Sequence, residues 1–252
     1  MIQIREIDKS YGTKQVLHDV SLQLPQNKMI SFIGSNGAGK STLLNIIART
    51  LLRDKGDIII NDKKMEEYKS NELAKTLAIL NQSNHLNVRL KVKELVSFGR
   101  FPYSKNNLTD EDHRIIDETL ELFNLSELAD RYLDQLSGGQ KQLAYIAMVV
   151  AQDTPYLFLD EPLNNLDMKH SVQVMKTLKK IVEERNKTIM VVIHDINFVS
   201  VYADYIYALK EGKILAHGPK NDIMHSKILN EVYNMNINIE QLRGCRICMF
   251  YD

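Results

Sequence analysis

The chain has 252 residues, of which 44% are hydrophobic and 25% charged, and its 32 acidic and 32 basic side chains leave no formal net charge. That is the composition of an ordinary globular protein, and it excludes the strong basic field of a dedicated nucleic-acid binder. No apolar run approaches the roughly 18–20 residues of a membrane helix and no signal peptide opens the chain, so a cytosolic protein is expected, reaching a membrane only through a partner.

Residues 2–24 alternate in period two through Ile2, Ile4 and Ile7, then Val16-Leu17, Val20, Leu22 and Leu24, with turns at Tyr11-Gly12 and Pro25-Gln26-Asn27. The pattern predicts an antiparallel β-unit. Tyr11 on the first turn reads either as a plain turn aromatic or as a face on which a purine stacks. Met29–Ile33 reads as a buried strand. It runs into Gly34-Ser35-Asn36-Gly37-Ala38-Gly39-Lys40-Ser41-Thr42, which fits G-x-x-x-x-G-K-[ST] and opens a helix. Glycines let backbone N–H groups turn inward around an anion, and the helix terminus adds partial positive charge. Lys40 is placed to reach the β/γ-phosphates and the Ser41 hydroxyl to hold Mg²⁺. A nucleoside triphosphate site is therefore expected.

Strands are predicted over 56–60 and 77–80, and the second ends at Asn81-Gln82. An amide at the end of a buried strand reads either as a ligand or metal contact or as a solvated strand end. From about 84 to 153 the period becomes helical. Thr109 N-caps a helix with acids in its first turn and Ile115, Ile116, Leu120 and Phe123 on its apolar face, and Ser126 caps the next short one. Leu136-Ser137-Gly138-Gly139-Gln140 then opens a helix over 141–152, a second anion-binding terminus. One nucleotide on one phosphate loop does not need it, so it takes another ligand, another subunit, or nothing.

The continuous apolar run 156–159 predicts a strand buried on both faces, ending in Asp160-Glu161. Buried unpaired carboxylates are costly, so the two acids are expected either exposed and solvated at the strand's end or bound to metal, with Asp160 then a Mg²⁺ ligand, direct or through water, and Glu161 the group that polarises an attacking water. A helix over 168–185 carries a core stripe of Val172, Met175, Leu178 and Val182. The strand 189–193 ends in His194-Asp195, again where ligands collect in open α/β sheets. Lys210-Glu211-Gly212-Lys213 reads as a hairpin turn. The only two cysteines, Cys245 and Cys248, fall on a predicted final strand, where their spacing points them to opposite faces. Without a second pair they read as packed apolar residues rather than a metal or redox site.

Taken together, these residues resemble the ATP-binding subunit of an ABC transporter over almost the whole length. Tyr11, the loop 34–42, Gln82, residues 136–140, the strand 156–161 and His194 occur in the family's order. The resemblance implies a P-loop NTPase (ABC ATPase) of α/β class, with a RecA-like core, an N-terminal antiparallel β-subdomain and an inserted α-helical subdomain. It spans 2–236, with the insertion at about 84–153 and a short strand or tail, 237–252, packed on the domain. It also implies the roles. Tyr11 stacks on adenine, residues 34–42 cradle the phosphates, and Ser41, Gln82 and Asp160 serve Mg²⁺. Glu161 is the catalytic base, while His194 contacts the γ-phosphate and Gln82 senses metal and water. Ser137, Gly138, Gly139 and Gln140 act in trans on ATP held by a second copy closed head to tail, and Asp167 links the two sites across that interface. Leu163-Asn164-Asn165-Leu166-Asp167 matches the family's loop after the strand acids, with a bulkier pair before Leu-Asp than most relatives carry.

The segment Val96-Ser97-Phe98-Gly99-Arg100-Phe101-Pro102-Tyr103 and the run from Glu161 to Ser171 are similar to importer ATPases for iron–siderophore, haem and vitamin B12, petrobactin-type importers included. The implied partners are integral-membrane permeases, docked through 83–105 on the cytoplasmic face of the membrane, and indirectly an extracytoplasmic binding protein; nucleic acid is not among them. The alternative is a soluble single-cassette relative such as an iron–sulfur assembly ATPase, which copurification with a permease separates from a transporter.

Overall fold

Alternating Ile and Leu at the N-terminus fold as a hairpin of β1 (Ile2–Tyr11) and β2 (Lys14–Leu24), with Ile2, Ile4, Ile7, Leu17 and Leu24 fully buried. The structure is a computed structural model that describes residues 1–82, 88–105 and 107–251. The predicted opening of the helical insertion at 84, and residues 83–87 of the expected docking segment, therefore lie outside the described residues. The chain divides into two compact units, residues 1–68 with 188–252, and residues 69–187.

In the first unit, β3 (Met29–Ile33) is buried at every position and runs into α1 (Lys40–Ile47). β4 (Lys55–Ile60) lies antiparallel to β1 on the side away from β2, and is followed by the short β5 (Lys63–Lys64). The second unit begins with α2 (Ser70–Ala74) and β6 (Leu77–Leu80). Its helices are α3 (Val92–Ser97), α4 (Phe101–Ser104), α5 (Asp110–Leu122) and α6 (Gly138–Ala151). It closes with β7 (Tyr156–Asp160), buried throughout and parallel to β6, and α7 (Met168–Arg185). The chain then returns to the first unit through β8 (Thr188–Val192), α8 (Ile196–Tyr202), β9 (Tyr205–Lys210) and β10 (Lys213–Pro219). There β3 lies between parallel β8 and β9, and β10 pairs antiparallel with β9. Parallel strands covered on both faces explain the largely apolar sequences of β3 and β8, in which only Ser31 and Thr188 are polar.

The chain ends with α9 (Lys220–Ile223), α10 (Ser226–Tyr233), β11 (Asn238–Leu242) and β12 (Cys245–Met249). The predicted cysteine strand is β12, but the periodicity did not reveal its partner β11, which is exposed along most of its length. Their turn is Arg243-Gly244, with φ of 49° and 81°, the positive pair that a two-residue hairpin loop requires. Asn197 of α8 holds β12, accepting from the Cys248 N–H at 2.8 Å and donating to the Cys248 carbonyl at 3.3 Å. Cys248 is buried and Cys245 half-buried. Two caps differ in detail from expectation. α6 starts at Gly138 rather than 141, because Ser137 is its N-cap, and Ser126 lies inside a 3₁₀ turn capped by Leu125.

In the second unit, Arg100 and Asp112 form a buried ion pair at 2.8 Å, and Arg100 also donates to the Ala151 carbonyl at 2.9 Å. Burial by itself raises the Asp112 pKa, but bonds from the Thr109 N–H, Arg100 and the Thr109 hydroxyl outweigh it and hold the carboxyl well below the usual carboxylate range. A depressed folded pKa gives stability that is full above the unfolded value near 4 and is lost as pH falls towards the folded one. Asp112→Ala leaves Arg100 buried without its anion and is expected to cost about 3–5 kcal/mol. Urea unfolding at pH 7 and pH 3 checks this: the gap between variant and wild type should be smaller at pH 3.

Candidate nucleotide site

In the first unit the loop 34–39 connects β3 to α1 and is shaped by glycines that tolerate no side chain. A Cβ at Gly34 would lie 2.2 Å from the Leu209 carbonyl oxygen, and one at Gly39 2.7 Å from Leu17 Cδ2. Their φ values of 146° and 96° are in the region that favours glycine. Gly39 is the N-cap of α1 and brings no side-chain cap, so the first-turn N–H groups present the positive end of the helix to the loop. Lys40 is buried, and its Nζ donates to the carbonyls of Gly34 at 2.7 Å and Ser35 at 3.0 Å. The ammonium is thereby positioned across the mouth of the loop, and Ser41 follows it on α1.

Strand register brings the other first-unit residues to this end. Phe32 pairs with Val192 in parallel β3 and β8, so Gly34 and His194 leave their strands at the same end, each two residues beyond that pair. His194 is exposed, and Asp195 after it caps α8 by accepting from the Asn197 N–H at 2.8 Å. Tyr11 is half exposed beside the turn of the β1–β2 hairpin, where it pairs with Lys14. That end of β2 is the one whose Val16 carbonyl and Leu17 side chain press on Gly39.

Sequence reading missed two supports of the loop. Gly212, taken only as a turn residue, donates its N–H to the Ala38 carbonyl at 3.2 Å and accepts from the His18 N–H at 2.9 Å, bracing the loop 34–39 against β2. Tyr233 of α10 brings its hydroxyl to the backbone of Gly34, and burial pushes its pKa up to about 12 despite that bond. Neither has a local signal, because each depends on a contact between segments far apart in the chain.

In the second unit the same register logic applies. Leu80 pairs with Leu159 in parallel β6 and β7, so Gln82 and Glu161 emerge together. The Gln82 amide donates to Glu161 Oε2 at 2.9 Å, and Asn164 donates to the same oxygen at 2.6 Å. Asp160, the last residue of β7, is 2% exposed. Ser137 caps α6 by accepting from the Gln140 N–H at 3.2 Å, while Gln140 accepts from the Ser137 N–H at 3.1 Å. A Cβ at Gly139 would lie 3.3 Å from the Asn165 carbonyl, and Gln142 donates to the Pro162 carbonyl at 3.0 Å, so the start of α6 rests on the loop that follows Glu161. Asp167 N-caps α7, accepting from the His170 N–H and meeting His170 Nδ1, both at 2.8 Å.

A sequence model described as ABC transporter matches residues 17–164, more than half of the chain. The chain belongs to the ABC transporter family. The petrobactin import ATP-binding protein YclP of Bacillus subtilis is 53% identical over 252 residues, covering all of both chains. The petrobactin import ATP-binding protein FatE of Bacillus anthracis is 47% identical, covering 95% of this chain and 96% of its own. Among solved structures, a dimeric ATP-binding cassette in a post-hydrolysis state with ADP and phosphate is 30% identical, with a TM-score of 0.78 over 87% of this chain and 99% of the other. The expected ABC ATPase fold is therefore the observed one, with its antiparallel N-terminal sheet and helical insertion. The matched span carries residues 34–42, Gln82, 137–140, Asp160 and Glu161 of this ABC cassette, while Tyr11, Asp167 and His194 lie beyond it.

Proposed function

We propose that this chain is the ATP-hydrolysing subunit of an ABC importer that takes up iron–siderophore complexes, with petrobactin-type chelates as the cargo class. The chemistry rests on one observation above the others, a Glu161 carboxylate at the end of a buried strand, oriented by the Gln82 amide at 2.9 Å. A carboxylate held in this way accepts a proton from an attacking water. Lys40 and the N–H groups of 34–42 hold the β- and γ-phosphates, Tyr11 stacks on the adenine, and His194 bonds the γ-phosphate. The oxygen donors Ser41, Asp160 and Gln82 suit Mg²⁺, a hard ion bound by few protein ligands together with phosphates. When bound, the ion neutralises charge on the phosphates.

Ser137, Gly138, Gly139 and Gln140 complete the site of a second copy bound head to tail, and Asp167 joins the two sites. The helix terminus they form supports this reading, since one phosphate loop already serves one nucleotide. Among the described residues no helix is long and apolar enough to cross a membrane. The subunit works at the cytoplasmic face by docking a permease. Phe98 and Phe101, 47% and 54% exposed beside the buried Arg100, support 83–105 as that docking surface. The cargo assignment follows the relatives' import of petrobactin.

The test is ATPase activity of the chain reassembled in lipid vesicles with an iron–siderophore permease. Turnover should rise several-fold when an iron-loaded siderophore-binding protein is added. Full turnover in solution, with no response to permease or binding protein, would instead support the iron–sulfur assembly reading.

A further inference from the structure

Residues 161–164 form a tight turn closed by the Asn164 N–H on the Glu161 carbonyl at 3.2 Å. Glu161 itself has φ of 50°, a left-handed conformation that a non-glycine residue holds only when its surroundings impose it. The Asn164 side chain then folds back to donate to Glu161 Oε2 at 2.6 Å, so one residue grips Glu161 by both its carbonyl and its carboxylate. Gln82 donates to the same oxygen from another strand. The two amides differ in kind. Gln82 reaches Glu161 across a strand pairing, whereas the Asn164 bond lies within one turn and moves with Glu161.

We propose that Asn164 is a positioning residue for hydrolysis, holding the Glu161 carboxylate in its aim when Gln82 turns to metal and water. The proposal rests on the reading of Glu161 as the water-activating group. A short bond inside a closed turn fixes the direction of the carboxylate's lone pairs. The residue acts through Glu161, by its bond to that carboxylate.

The test compares full-length wild type with Asn164→Leu, which keeps the size but has no donor, and Asn164→Asp, which sets a second carboxylate against Glu161. Asn164→Leu should lower kcat about tenfold while leaving KM for ATP within about twofold, since only a hydrogen bond to a charged group is lost. Asn164→Asp should lower kcat further, because like charges repel. ATP bound at wild-type affinity shows that each variant is folded, and the exposed side chain makes loss of folding unexpected. In a Glu161→Gln background, Asn164→Leu should have no additional effect on the residual rate, because a residue that acts through Glu161 has nothing left to position. Unchanged kcat in Asn164→Leu, beside an inactive Glu161→Gln, overturns the role of Asn164 alone. Normal turnover in Glu161→Gln overturns the water-activating reading and this proposal together.

Discussion

Lys40→Ala is expected to weaken ATP binding by about a hundredfold or more and to abolish turnover at cellular ATP levels. Each charge-assisted bond from the ammonium to a phosphate oxygen contributes about 1.5–3 kcal/mol, and the variant loses both the bonds and the charge. The Nζ is already held at the loop by the Gly34 and Ser35 carbonyls, so little ordering entropy is spent when phosphate arrives. Two carbonyls lose a donor in this variant and in Lys40→Met alike, and Lys40→Met keeps the buried stem, so it separates lost packing from lost charge and donors. Equilibrium binding of a fluorescent ATP analogue, with thermal unfolding to check the fold, provides the measurement. Wild-type affinity in both folded variants would remove Lys40 from the site.

Glu161→Gln should separate what Lys40→Ala couples. The replacement keeps the shape of the side chain and an oxygen that still accepts from Gln82 and Asn164, and it loses only the ability to take a proton. A positioned general base contributes about 10²–10⁴ in rate, so single-turnover hydrolysis should fall by that factor while ATP affinity stays near wild type. Because ATP then persists, the head-to-tail dimer should accumulate and appear in ATP-dependent size-exclusion chromatography. Hydrolysis at the wild-type rate would show that Glu161 is not the base. Loss of ATP binding would instead make it a structural residue.

Much of this behaviour is readable in the residues. The phosphate loop is legible because it is local: its glycines, Lys40 and Ser41 are consecutive, and the flanking apolar run and helix start confirm its setting. The strands β3, β7 and β8 are legible because both their faces are buried, which leaves mostly apolar residues in the sequence itself. Thr109 announces its helix because a cap bonds an amide only three residues away. β11 was not legible, because an exposed, partly solvated strand has no apolar period to display.

The sequence by itself thus determined the family, the nucleotide loop and the residue types at the ends of the buried strands. Only the tertiary structure decided which of those residues meet. The pairs Phe32–Val192 and Leu80–Leu159 bring Gly34 level with His194 and Gln82 level with Glu161, and a slip of one residue would turn each side chain to the other face. Gly212 became a brace of Ala38, and Asn164 a hold on Glu161, by the same route. The physical reason is range. Periodicity and caps act within a few residues, whereas parallel strands are placed by packing between segments far apart in the chain, and their register is nowhere written in the local pattern.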